Sequence, residues 1–119
     1  MELGVARVES SEVCGTLTFP AEVDLANAAV ILDQAVALLD SGVPALIIDL
    51  SGCTFCDSSG LAVITRSQMR ATELGVPMWV VLPSRGVVRR ISEVAGLQRR
   101  VAIAPDIATA LEALAPVRR

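Results

Sequence analysis

The sequence predicts an α/β domain, a mostly parallel sheet with an antiparallel edge and helices covering it, in the order β-β-α-β-α-β-α-β-α. Three observations predict this class. Short apolar runs alternate with segments of helical period along the chain. The apolar fraction is 53% with only 3% aromatic residues, a composition rich in Ala, Val, Leu and Ile that suits parallel strands buried on both faces. The length, 119 residues, suits one domain with a core of ordinary size, so residues 1–119 are expected to form a single unit.

The first two strands are the β-like runs VARV (5–8) and VCGTLT (13–18), on either side of ESSE, which reads as a hairpin start and supplies the antiparallel edge. From Asn27 the pattern changes. Ala28, Ile31, Leu32, Ala35, Leu38 and Leu39 recur at helical spacing while Asp33, Gln34 and Asp40 fall elsewhere, an amphipathic helix stopped at Ser41-Gly42 with Pro44 just beyond. ALIIDL (45–50) is short and continuously apolar, as a buried strand should be. After Asp57 the helical period returns: Gly60, Ile64, Ser67, Ala71 and Leu74 share one face and Arg66, Arg70 and Glu73 another, until Gly75 ends the helix. PMWVVL (77–82) is a second buried strand. Ser84 is expected to cap a helix whose inward stripe is Val87, Ile91 and Val94, with Arg89 and Glu93 pairing across one turn outside. VAIA (101–104) closes the sheet, and residues 105–114 form a last helix with Ile107, Ala110, Leu111 and Leu114 directed inward.

Charge and composition narrow the function. The chain has 13 acidic residues against 10 basic ones and a pI near 4.8, so nucleic acid is not the expected partner. No apolar run approaches a membrane span, and the N-terminus has neither the basic nor the apolar region of a secretion signal, which points to the cytoplasm and away from membranes. Without such a signal, Cys14, Cys53 and Cys56 are expected to be free thiols. The sequence contains no histidine, which removes serine-histidine and cysteine-histidine catalysis and the commonest zinc ligand.

In sheets of this class the working surface lies at the carboxyl ends of the strands, and CTFCDSSG (53–60) falls there. Cys53 and Cys56 have the spacing of a thiol-disulfide site. No basic residue lies within several positions, however, and Asp57 follows directly, which favours neutral thiols acting as small apolar fillers. A zinc site would be one ligand short, so no metal is expected. Ser58 and Ser59 stand where the backbone enters a helix and several N–H groups lack intrahelical acceptors. Either hydroxyl can serve as an N-cap, and the same geometry can hold a phosphoryl group.

With AEVDLANA (21–28), LIIDLSGCTFCDSSGLAVI (46–64) and VVRRISEVAGL (87–97), the chain resembles the STAS-domain anti-sigma-factor antagonists of bacterial partner-switching systems over nearly its whole length. The strongest match is Asp57-Ser58-Ser59-Gly60-Leu61. The resemblance implies that Ser58 is phosphorylated by an anti-sigma factor that is also a serine kinase of the histidine-kinase-like ATPase fold. It implies that the dephosphorylated form binds this kinase and releases a sigma factor, and that a serine phosphatase resets the system. By the same resemblance Asp24, Asn27, Asp57, Ser59 and Gly60 contribute to partner binding, with no cofactor and no catalytic residue. The chain departs from the family pattern at Ala21, where glycine is usual, and at Asn27, where a small hydroxyl residue is common. Both bear on the loop's shape and not on the phosphoacceptor. Two other readings stay open: a thiol-based redox module using Cys53 and Cys56, and a STAS subunit of a larger signalling or lipid-transport assembly.

Overall fold

The computed structural model describes residues 4–115, so the two ends of the expected 1–119 domain lie outside the described residues. The chain runs β1 (Arg7–Ser10), β2 (Gly15–Thr18), β3 (Glu22–Val23), α1 (Ala28–Asp40), β4 (Leu46–Asp49), β5 (Phe55–Cys56), α2 (Ser58–Leu74), β6 (Met78–Val81), α3 (Val87–Val94), a 3₁₀ turn (Leu97–Arg99), β7 (Ala102–Ala104) and α4 (Ile107–Leu114). Five strands make the main sheet in the order β1-β2-β4-β6-β7, antiparallel between β1 and β2 and parallel elsewhere, as the sequence implies.

The central strand β4 explains the layering. All four of its residues are buried, and its side chains alternate between two cores. Leu46 and Ile48 join Leu17, Val80, Ile31, Leu39 and Ile64 under α1 and α2, whereas Ile47 meets Val81, Ala104 and Ala110 under α4. The face of α1 read from the sequence is the buried one, including Ile31, Ala35, Leu38 and Leu39. In α2 the buried face again includes Gly60, Ile64, Ser67 and Ala71, with the Ser67 hydroxyl satisfied by donating to Val63 O at 2.6 Å. Gly75 ends that helix in the left-handed region at φ 69°, where a side chain would be strained.

Several expected details differ. Leu74 lies partly exposed beyond the inward face of α2, and Leu111 is partly exposed on α4. The start of α3 is capped by Gly86 at φ 103° and not by Ser84. Of the expected inward stripe only Ile91 packs against the core; Val88 and Ser92 are the buried residues, while Val87 is 60% and Val94 86% exposed. Arg89 and Glu93 do pair on its outer side, at 3.4 Å. The pairs β3 and β5 were not expected; they form a separate two-stranded parallel ribbon.

Candidate functional site

The small ribbon builds the site. Glu22 pairs with Phe55 and Val23 with Cys56, so the loops leaving β3 and β5 emerge side by side. Thr54 N–H donates to Ala21 O at 2.7 Å and Asp57 N–H to Val23 O at 3.2 Å, which ties the start of α2 to the loop that carries Asp24 and Asn27.

Asp57 is the N-cap of α2, in extended conformation, and neither serine takes that place. Its Oδ1 accepts from the N–H groups of Ser59 at 2.9 Å and Gly60 at 3.3 Å, and from the Ser59 hydroxyl. The Ser59 hydroxyl, followed by these backbone donors, holds the Asp57 carboxyl below the usual carboxylate range. The two adjacent serines are therefore unlike. Ser59 is half-buried with its hydroxyl engaged by Asp57. Ser58, the first residue of α2, is exposed, and its hydroxyl has no hydrogen-bond partner among the described residues.

Gly60 has a packing reason. A Cβ there would collide with Cys56 Sγ and come within 3.0 Å of Val23 Cγ1, so only glycine lets the first turn of α2 lie on the ribbon. Cys56 is fully buried beneath it and Cys53 nearly so, and both are free thiols. The hydrogen bond with Cys53, then burial and the nearby charges of Cys53 and Asp57, push the Cys56 thiol far above its ordinary range. The same contact lowers Cys53, against its burial. The lowering at Cys53 comes from this contact, which residue spacing does not reveal.

On the neighbouring loop, Asp24 Oδ1 accepts from Ala26 N–H at 2.8 Å, and Asp24 O accepts from Asn27 N–H and Ala28 N–H. Asn27 is only 6% exposed. Its amide donates to Gly4 O at 2.7 Å and Glu22 O at 2.9 Å, while its Oδ1 accepts from Asp24 N–H at 3.1 Å. Its side chain thus faces the loop's interior, where it braces the segment holding Asp24. Leu25, at the crest of this loop, is 83% exposed. Two grooves flank α2 here. One, of about 250 Å³, runs between α1 and α2 past Leu25, Ala29, Ser59 and Arg66; the other, of about 280 Å³, lies between Ser58, Ala62, Leu97 and Arg100. Sequence reasoning passed over Leu25 and Arg100. An isolated leucine in an acidic loop, outside any helical stripe, was the available signal for the first; nothing local marks the second.

Among the described residues no group of three or more His, Cys, Asp or Glu side chains is placed to hold a metal ion, and no helix is long and apolar enough to cross a membrane. The family model for the "Mlab, STAS domain" matches residues 6–109. This chain belongs to the STAS-domain family. Among solved structures, the STAS chain is similar to an anti-sigma factor antagonist from Mycobacterium paratuberculosis, at 25% identity over 92% of each chain with a TM-score of 0.77. It shares its fold with an anti-sigma-factor antagonist STAS domain protein from Planctomyces limnophilus, at 21% identity over 96% of this chain and 100% of that one, TM-score 0.80. It also shares it with the anti-sigma factor antagonist SpoIIAA in its unphosphorylated form, at 14% identity over 94% and 99%, TM-score 0.74. Among curated proteins none matches the sequence.

Proposed function

We propose that this STAS domain is an anti-sigma factor antagonist. In its unphosphorylated form it binds an anti-sigma factor that is also a serine kinase of the histidine-kinase-like ATPase fold, thereby releasing a sigma factor. Phosphorylation of Ser58 by that kinase ends the complex, and a serine phosphatase restores it. The chain is a substrate and binding module in this scheme, not an enzyme, and it acts in the cytoplasm.

The observation that carries the reading is the inequality of the two serines. A kinase needs an accessible hydroxyl, and Ser58 offers one at the exposed start of α2 while Asp57 engages the hydroxyl of Ser59. The other residues take roles that fit their surroundings. Asp24 and Leu25 face the partner beside Ser58; Asp57 and Ser59 hold the first turn; Asn27 shapes the loop from inside; Gly60 seats the helix. The similarity to the Mycobacterium paratuberculosis antagonist supports the partner class.

Phosphate at Ser58 adds about −1.5 to −2 charges beside Asp57. Desolvating that charge against a partner, or facing it with acidic groups, costs several kcal/mol, and about 3 kcal/mol weakens a complex roughly a hundredfold. Phosphopeptide mapping after incubation with the kinase and ATP tests the assignment. Phosphate is expected on Ser58 alone, and stoichiometric labelling of Ser58→Ala refutes it.

A further inference from the structure

We propose that once Ser58 carries phosphate, the guanidinium of Arg100 closes on it across the groove between α2 and the turn that follows α3. The phosphorylated chain then holds its own phosphate in an internal ion pair. This inference rests on Ser58 being the phosphoacceptor.

The new charge needs a counter-charge, and the helix start does not supply one. Of the donors that an anion would ordinarily find there, three are already taken: the N–H groups of Ser59 and Gly60 point to Asp57 Oδ1, and that of Leu61 donates to Asp57 O at 3.1 Å, which leaves only the uncharged N–H of Ser58 itself without a partner among the described residues. Asp57 also contributes a negative charge of its own, so the phosphate must be met by a side chain. Arg100 is exposed, takes part in no ion pair among the described residues, and lines the same 280 Å³ groove as Ser58. Its backbone is anchored, with Arg100 N–H donating to Leu97 O at 2.9 Å and Leu97 itself buried, so the guanidinium swings from a fixed base. Arg66, on the same helix as Ser58, borders the opposite groove. Eight residues further along α2, it stands roughly 12 Å from Ser58 along the helix axis, beyond easy reach. A planar guanidinium matches phosphate oxygens in pairs, which an ammonium does not. The closure ties the start of α2 to the turn after α3 and covers the groove between them, so phosphorylation alters the docking face as well as its charge.

The test uses the full chain with phosphoserine installed at position 58 during synthesis, so that no kinase is involved. The second ionisation of the phosphate, ordinarily near 6, is followed by ³¹P NMR. A guanidinium nearby favours the dianion, so Arg100→Gln should raise that pKa by about half a unit. Arg66→Gln should leave it in place, and Arg100→Lys should fall between the parent and Arg100→Gln. In the parent, the Arg100 side-chain N–H resonance should move on phosphorylation. An identical phosphate pKa in the parent and Arg100→Gln overturns the inference, as does a shift produced by Arg66→Gln alone. If no anti-sigma factor kinase labels Ser58, the functional reading fails while this measurement retains its meaning.

Discussion

Gly60→Ala probes the seat on which the phosphorylation site rests. One added methyl meets Cys56 Sγ and Val23 Cγ1, and both neighbours are fully buried in the core, so neither has free space to retreat into. Overpacking of this kind costs about 1–3 kcal/mol. Alanine's better helix propensity offsets up to about 1 kcal/mol of that. The net expectation is a loss of about 1–2 kcal/mol, which in a domain of this size lowers Tm by roughly 4–8 °C. Removing the sulfur should relieve the clash, so Cys56→Ala with Gly60→Ala should lose about 1 kcal/mol less than the two single losses added together. Urea unfolding of the four proteins in the cycle measures this. If Gly60→Ala is as stable as the parent, or if the two changes simply add, the close seating of α2 on the ribbon is wrong.

Two further substitutions test the loop chemistry. Ser59→Ala should raise the Asp57 carboxyl toward the ordinary range, because the Ser59 hydroxyl is the first cause of its depression; carboxyl NMR titration checks it, and an unmoved Asp57 contradicts it. A carboxyl depressed in the folded state contributes stability that is present above the unfolded value, about 3.9, and lost as pH falls through the folded one, so Ser59→Ala, by narrowing that gap, should be less stable near neutral pH but lose less of its stability than the parent as pH falls. Cys53→Ser with Cys56→Ser should leave partner affinity equal in reducing and oxidising buffer, at a stability cost of about 1–3 kcal/mol from burying a hydroxyl in the place of Cys56. A disulfide in the parent that reversibly turned binding off would favour the redox reading instead.

Where a signal extended over several turns or a whole strand, the sequence was readable. The stripe of Ile31, Ala35, Leu38 and Leu39 in α1 and the continuous apolar run of β4 each specify burial through many residues at once. In two-turn α3 the expected stripe holds only at Ile91, which packs on the core, while Val87 and Val94 face out; so short a helix has too few repeats for spacing alone to fix its inward face. The ribbon of β3 and β5 carries no period, being two residues per strand, although it is what brings Asp24 beside Asp57. Asn27 shows the same limit at a single residue: a polar side chain in a loop looks available to a partner, whereas three hydrogen bonds turn it inward. The Asp57-Ser58-Ser59-Gly60 motif was legible as a helix start. Which hydroxyl is free depends on the direction of one side chain, and that direction is read only from coordinates.

If phosphate on Ser58 switches partner binding without unfolding the domain, one titration will show it. The cognate anti-sigma factor kinase is titrated calorimetrically, without ATP, with the unphosphorylated full chain and with the chain carrying phosphoserine at position 58. The phosphorylated form should bind about a hundredfold more weakly, and its Tm should lie within a degree or two of the parent's, because Ser58 is exposed and its hydroxyl makes no contact that folding requires. Equal affinities for the two forms would contradict the switch, and a large fall in Tm would place its cause in the fold and not at the interface.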